Sequence, residues 1–134
     1  MDFKLLTPNG QVYSGEAELV GGRTENGSFS MLPRHIPAVM ELEPATLKIE
    51  DSEGMRRFVV HGGFLFKERN ETVRVLTREA EVFEELESAE LEEEINGLEK
   101  QLEEMEDERG TAAYEKKQAE LDRAKLNLRL ISNE

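Results

Sequence analysis

At about Ser88 the apolar residues of this 134-residue chain change their spacing. Leu91, Ile95, Leu98, Leu102 and Met105 follow at intervals of four, three, four and three, a heptad stripe along one face of a helix. Upstream, apolar residues come in short runs separated by turn residues at intervals of roughly 8–12 residues, the pattern of a sandwich or barrel. The runs are Phe3 with Leu5, Val12, Ala17 to Val20, Phe29 to Leu32, Val39 to Leu42, Leu47 to Ile49, Phe58 to Val60, Phe64 to Phe66 and Val73 to Leu76. Pro8-Asn9-Gly10, Gly21-Gly22, Asn26-Gly27, Asp51 to Gly54, Gly62-Gly63 and Asn70-Glu71 separate them. A chain with two periods folds as two pieces, an all-β domain over residues 1–84 and a helical segment over 85–134.

Ser88 is the expected N-cap of the first helix, with Glu90 and Glu92 in a first turn where the helix dipole favours anions. Gly110 is expected to end that helix, and Thr111 to cap the next. The second helix repeats the stripe less cleanly through Tyr114, Lys117, Leu121, Ala124, Leu128 and Ile131, with Leu126 and Leu130 widening it. So short a link predicts an antiparallel hairpin. The hairpin is either a self-contained unit or one that docks conditionally. Glu99 and Glu103 form a like-charge i,i+4 pair, and Gly97 costs a helix interior about 1 kcal/mol against alanine.

Charge separates the two pieces as well. Residues 1–83 carry 13 Asp+Glu against 10 Lys+Arg, net −3, and residues 84–134 carry 17 against 7, net −10. Such a surface repels nucleic acid and anionic lipid and suits a basic protein partner. No run of 18 apolar residues is present, so no membrane insertion is expected. Met1-Asp2-Phe3-Lys4 lacks the basic start and apolar stretch of a secretory signal.

Little in the sequence points to chemistry. With no cysteine there is neither a disulfide nor a thiol nucleophile. The glycine pairs belong to no Gly-x-Gly-x-x-Gly or Walker pattern, so they are expected where backbones approach closely or need positive φ. His35 and His61 are too few for a histidine-rich metal site, and Ser28 and Ser30 near His35 lack a nucleophile-elbow signature. Neither catalysis, a cofactor nor a metal is expected of the chain alone.

The segment Ser30-Met31-Leu32-Pro33-Arg34-His35-Ile36-Pro37-Ala38-Val39 resembles G-I-L-P-G-H-A-P-L-L of the epsilon subunit of F-type ATP synthase. Val60-His61-Gly62-Gly63-Phe64-Leu65 is similar to that family's V-S-G-G-F-L, and Val73 to Glu81 to V-T-V-L-A-D-x-A-E. Leu6-Thr7-Pro8 and Tyr13-Ser14-Gly15-Glu16 also fit, so the resemblance runs in register along essentially the whole chain. It implies a ten-stranded β-sandwich followed by an antiparallel helical hairpin. It further implies a non-catalytic rotor subunit, peripheral on the cytoplasmic face of the inner membrane. The sandwich would bind the gamma subunit and rest on the c-ring of a proton- or sodium-driven enzyme. The hairpin would conditionally reach the alpha and beta catalytic subunits and inhibit ATP hydrolysis.

By position, Gly27, Ser28, Arg34 and His35 would face the c-ring. Ser28 stands where some relatives carry glutamate, and Arg34 where glycine is usual. The hairpin seam would be Leu91, Ile95, Leu98, Leu102, Met105, Tyr114, Leu121, Leu128 and Ile131. Some bacterial relatives bind ATP through I/L-D-x-x-R-A, but here the stretch reads Leu86-Glu87-Ser88-Ala89-Glu90-Leu91. Glu90 replaces a guanidinium with a carboxylate that repels a nucleotide, so no nucleotide site is expected. Without the resemblance, a protein-binding sandwich with a tail dimerising through Leu91–Met105 remains the alternative.

Overall fold

A computed structural model describes residues 1–132. The described residues divide between Phe83 and Glu84 into two compact units.

The first unit holds eight strands among the described residues: β1 (Asp2–Thr7), β2 (Gly10–Glu16), β3 (Leu19–Thr24), β4 (Gly27–Met31), β5 (Ala38–Asp51), β6 (Gly54–Lys67), β7 (Thr72–Leu76) and β8 (Ala80–Val82). Their pairing order is β2-β1-β7-β6-β5-β3-β4, with β8 also on β6. β1 and β7 run parallel, and the other pairs are antiparallel. β5 and β6 are 14 residues each and pair along their whole length. The first half of β6 pairs with β8 through Phe58–Val60, and the second with β7 through Phe64–Lys67. The second half of β5 carries β3. The pairings thus fall into two sets that meet in the middle of β5 and β6, where Pro44 opposes His61 and Gly62 and Gly63 have φ of 88° and 125°.

Eight strands therefore replace the ten expected, because β5 and β6 run unbroken through this corner. Inward residues of both sets share one core: Phe3, Leu5, Leu65, Val73 and Val75 from one side, and Val20, Leu47, Ile49, Phe58 and Val60 from the other. Period-2 alternation places them there, as in β1, where Phe3 and Leu5 are buried between half-buried neighbours. Each such side chain contributes roughly 1.5–3 kcal/mol by leaving water.

The glycine pairs do not interrupt strands as the sequence suggests. Gly21 and Gly22 lie within β3, and the Phe29 ring of β4 covers Gly22. At Gly63 a Cβ would run into the Leu76 carbonyl, so a close approach is combined with positive φ.

In the second unit, α1 (Ser88–Glu104) and α2 (Ala112–Ser132) form the hairpin. Ser88 is the first helical residue, not the cap. Glu87 holds the cap position in extended conformation without a side-chain bond. α1 also ends before Gly110. Met105 closes it, a short 3₁₀ turn over Glu106–Glu108 follows, and Gly110 (φ 89°) turns the chain. Thr111 caps α2 as expected, its Oγ1 accepting the Tyr114 N–H at 3.3 Å. Lys117 donates to Gln101 at 2.8 Å and Lys125 pairs with Glu99 at 3.4 Å, which sets the helices antiparallel.

Candidate partner-binding surfaces

The sandwich unit exposes apolar side chains at the segment between β4 and β5. Leu32 is 56% exposed, Ile36 73% and Val39 67%. Within residues 32–37 the backbone closes on itself through the His35 N–H, which donates to the Leu32 carbonyl at 3.2 Å. The His35 Nδ1 donates to the Ile36 carbonyl at 2.7 Å, so this ring is tied to its own loop. Pro33 and Pro37 stiffen both ends.

Arg34, predicted from the resemblance, adopts φ of 72°, a conformation that costs a non-glycine residue about 1–2 kcal/mol. Its N–H donates to both carboxylate oxygens of Glu71, each at 3.1 Å. Lys67, whose residue is buried to 3% exposure, donates from Nζ to Glu71 Oε1 and to the Glu68 carbonyl, both at 3.0 Å. The Lys67 ammonium and then the Arg34 N–H hold the Glu71 carboxyl below the usual carboxylate range. Next to this cluster Arg74 donates to Glu68 at 2.8 Å and lies over the Phe66 ring.

Gly27 and Ser28 sit at the β3–β4 turn, where Gly27 has φ of 116° and Ser28 pairs with Arg23. Thr24 Oγ1 accepts the Asn26 N–H and donates to the Gly27 carbonyl, bracing the turn. A shallow acidic groove of about 370 Å³ runs between this turn and Val39, Met40, Glu41 and Glu43. A second, of about 420 Å³, borders Val39 with Pro37, Phe66, Glu68 and Arg74. Val39 thus lies between the two candidate loops.

A further apolar groove of about 500 Å³ was not among the sequence candidates. Leu6, Pro8, Phe64, Leu76 and Arg78 line it. Phe64 and Leu76 are cross-strand partners, 47% and 40% exposed. The signal lay in the alternation of β6: with Leu65 inward, Phe64 must face out.

In the hairpin, Leu98, Leu102 and Leu121 form one buried cluster, with Ile95 and Tyr114 packed on it. Leu91 is buried, and Met105 is half-buried at the end of α1. On α2 the buried positions are Leu121, Ala124, Asn127 and Leu130, while Leu128 and Ile131 are half-buried. Leucines at 126, 128 and 130 surround more of the helix than one seam holds, so the buried face rotates off the heptad register. Glu87 and Glu90 stand exposed at the start of α1. Among the described residues no helix is long and apolar enough to cross a membrane. No group of three or more His, Cys, Asp or Glu there could hold a metal ion.

Residues 1–83 match the family model described as ATP synthase, Delta/Epsilon chain, beta-sandwich domain. The ATP synthase epsilon chain of Priestia megaterium is 33% identical over 103 residues, covering 77% of this chain and 76% of the relative. That of Exiguobacterium sp. is 32% identical over 78 residues, and the chain spans 57% of its length. A chain in the Euglena gracilis mitochondrial ATP synthase assembly of OSCP, F1 and c-ring is 19% identical, with a TM-score of 0.65 over 97% of this chain and 76% of that one. At such identity the last of these speaks for the fold alone. The family match over the sandwich, together with the Priestia relative over most of both chains, shows that the chain belongs to the epsilon-subunit family of F-type ATP synthases.

Proposed function

We propose that the chain works as a central-stalk rotor subunit, joining the gamma subunit to the c-ring and so coupling the catalytic head to ion flow. The observation that carries this reading is the exposed edge Leu32, Ile36 and Val39 on a sandwich of this family. Exposed apolar side chains grouped on one edge mark an interaction site. In this reading Gly27, Ser28, Arg34 and His35 face the ring. The subunit is peripheral at the cytoplasmic face of the inner membrane, needs no cofactor or metal, and is not catalytic alone.

The hairpin is the regulatory part in this reading, reaching the alpha and beta subunits and restraining ATP hydrolysis. Its first helix suits a bistable element. Gly97 faces open space, so the glycine serves no packing need and simply weakens the helix. The dimerising alternative is disfavoured by the seam itself, because Leu98 and Leu102 already pack on Leu121 of the same chain. The deciding experiment mixes the full chain with a gamma subunit and follows size-exclusion elution. Co-elution one to one is expected, and a homodimer that ignores gamma overturns the reading.

ATP binding is expected to be weak or absent, because exposed carboxylates at Glu87 and Glu90 face any nucleotide approaching the start of α1. Calorimetric titration of ATP into the isolated chain checks this. A micromolar Kd would contradict it.

A further inference from the structure

Among the described residues, two non-glycine residues have positive φ: Arg34 at 72° and Glu71 at 62°. They lie 37 positions apart and are bonded to each other, the Arg34 N–H meeting both oxygens of the Glu71 carboxylate at 3.1 Å. Isolated left-handed residues persist where their surroundings over-determine them. Here the surrounding element is one carboxylate with three attachments. It belongs to the turn between β6 and β7, it is held from behind by the buried Lys67 ammonium at 3.0 Å, and it holds the 32–37 segment in front. Lys67 is fixed in turn by the Glu68 carbonyl at 3.0 Å.

Besides this bond, the segment is tied within itself, by the His35 N–H to the Leu32 carbonyl and by the His35 ring to the Ile36 carbonyl. Leu32 and Ile36 are 56% and 73% exposed, so packing does little to hold them. Glycine would take the conformation at position 34 unaided, whereas arginine does so only under constraint.

We propose that Glu71 is a positioning residue: anchored on Lys67, its carboxylate clamps the Arg34 backbone and so presents Leu32, His35 and Ile36 as a rigid edge for docking on the c-ring. The docking half rests on the function proposed above; the clamp itself does not. A preformed edge spares the ordering entropy that a loose loop loses on binding.

The test uses Glu71→Ala in the full chain, with two readouts. In the isolated protein, exchange of the Arg34 amide is expected to quicken roughly tenfold or more, as local opening becomes easier, while that of buried Val75 is unchanged. In the reassembled synthase, the chain has no native cysteine, so Ile36→Cys carries a single photo-cross-linker. Its yield on the ring is expected to fall. Adding Arg34→Gly to Glu71→Ala is expected to restore much of that yield, because glycine needs no clamp. A general loss of stability would not be rescued in this way. Should Glu71→Ala unfold by leaving the Lys67 ammonium unpaired, Lys67→Met/Glu71→Ala removes both partners and is measured instead.

Unchanged Arg34 exchange overturns the clamp. Faster exchange with undiminished cross-linking, or no rescue by Arg34→Gly, overturns the positioning role. A wild-type chain whose probe never reaches the ring overturns the ring assignment, and the exchange data then still decide the clamp.

Discussion

Gly63→Ala is expected to lower the stability of the sandwich by about 4 kcal/mol or more, a large part of the roughly 5–15 kcal/mol that a domain has. Two effects combine. The residue has φ of 125°, a conformation that costs an L-residue about 1–3 kcal/mol. An added Cβ would also meet the Leu76 carbonyl, which is backbone of a paired strand and can withdraw only by opening the β6–β7 ladder. Overpacking of that kind costs typically about 1–3 kcal/mol. Gly27 and Gly62 separate the two effects. Gly27 has φ of 116° and open space around it, so alanine there meets strain without a clash. At Gly62 the nearest backbone atom, the Leu42 carbonyl oxygen, would lie 3.3 Å away. Urea unfolding followed by circular dichroism should therefore rank the losses Gly63→Ala, then Gly62→Ala, then Gly27→Ala. A Gly63→Ala midpoint equal to that of Gly27→Ala would show that the close approach carries no energy.

The same glycines mark a boundary of what sequence conveys. Gly21-Gly22 and Gly62-Gly63 read alike along the chain, yet one pair sits inside a strand under the Phe29 ring and the other forms the corner of β6. The difference lies in cross-strand neighbours, which local spacing does not encode. The Asn-Gly turn at Asn26-Gly27 and the hairpin turn ending in Gly54 were legible because the turn geometry itself demands those residues. Alternation in β1 and β7 fixed their inward faces for a similar reason.

At the candidate docking edge, resemblance pointed to Arg34 and His35 but not to what holds them. The Glu71 and Lys67 side chains reach position 34 only after β6 and β7 have paired, and no periodicity links residues that far apart. Phe64 and Leu76 were legible in principle, as apolar residues that alternate with Leu65 and Val75 along β6 and β7. In the hairpin, α1 followed its heptad because its leucines occupy one stripe. α2 did not, because its leucines compete for the buried face and Asn127 takes a place expected of Leu128.

The small size of the hairpin core gives the second large effect. Leu102→Glu is expected to unfold α1 and α2 while leaving the sandwich folded. Among the described residues, Leu98, Leu102 and Leu121 form the hairpin's buried apolar cluster. Removing a buried leucine costs about 2–5 kcal/mol, and the new carboxylate must either stay buried without a partner or drag its helix into water. α1 has little with which to resist. It is 17 residues long, has no side-chain N-cap bond and carries Gly97 in its interior, and helices of this length are marginal without packing. The added charge would also join Glu99, Glu103 and Glu104 on a helix already dense in carboxylates. The helical circular-dichroism signal should fall while amides of β1 and β7 keep their protection, since the sandwich has a core of its own. In the assembled synthase the proposed inhibition of ATP hydrolysis should disappear while ion-coupled synthesis continues. Leu102→Met, which keeps the volume, should behave as wild type. An unfolded hairpin with hydrolysis still restrained would mean that inhibition does not reside in the helices, and that the exposed edge of the sandwich is the chain's whole contribution to the rotor.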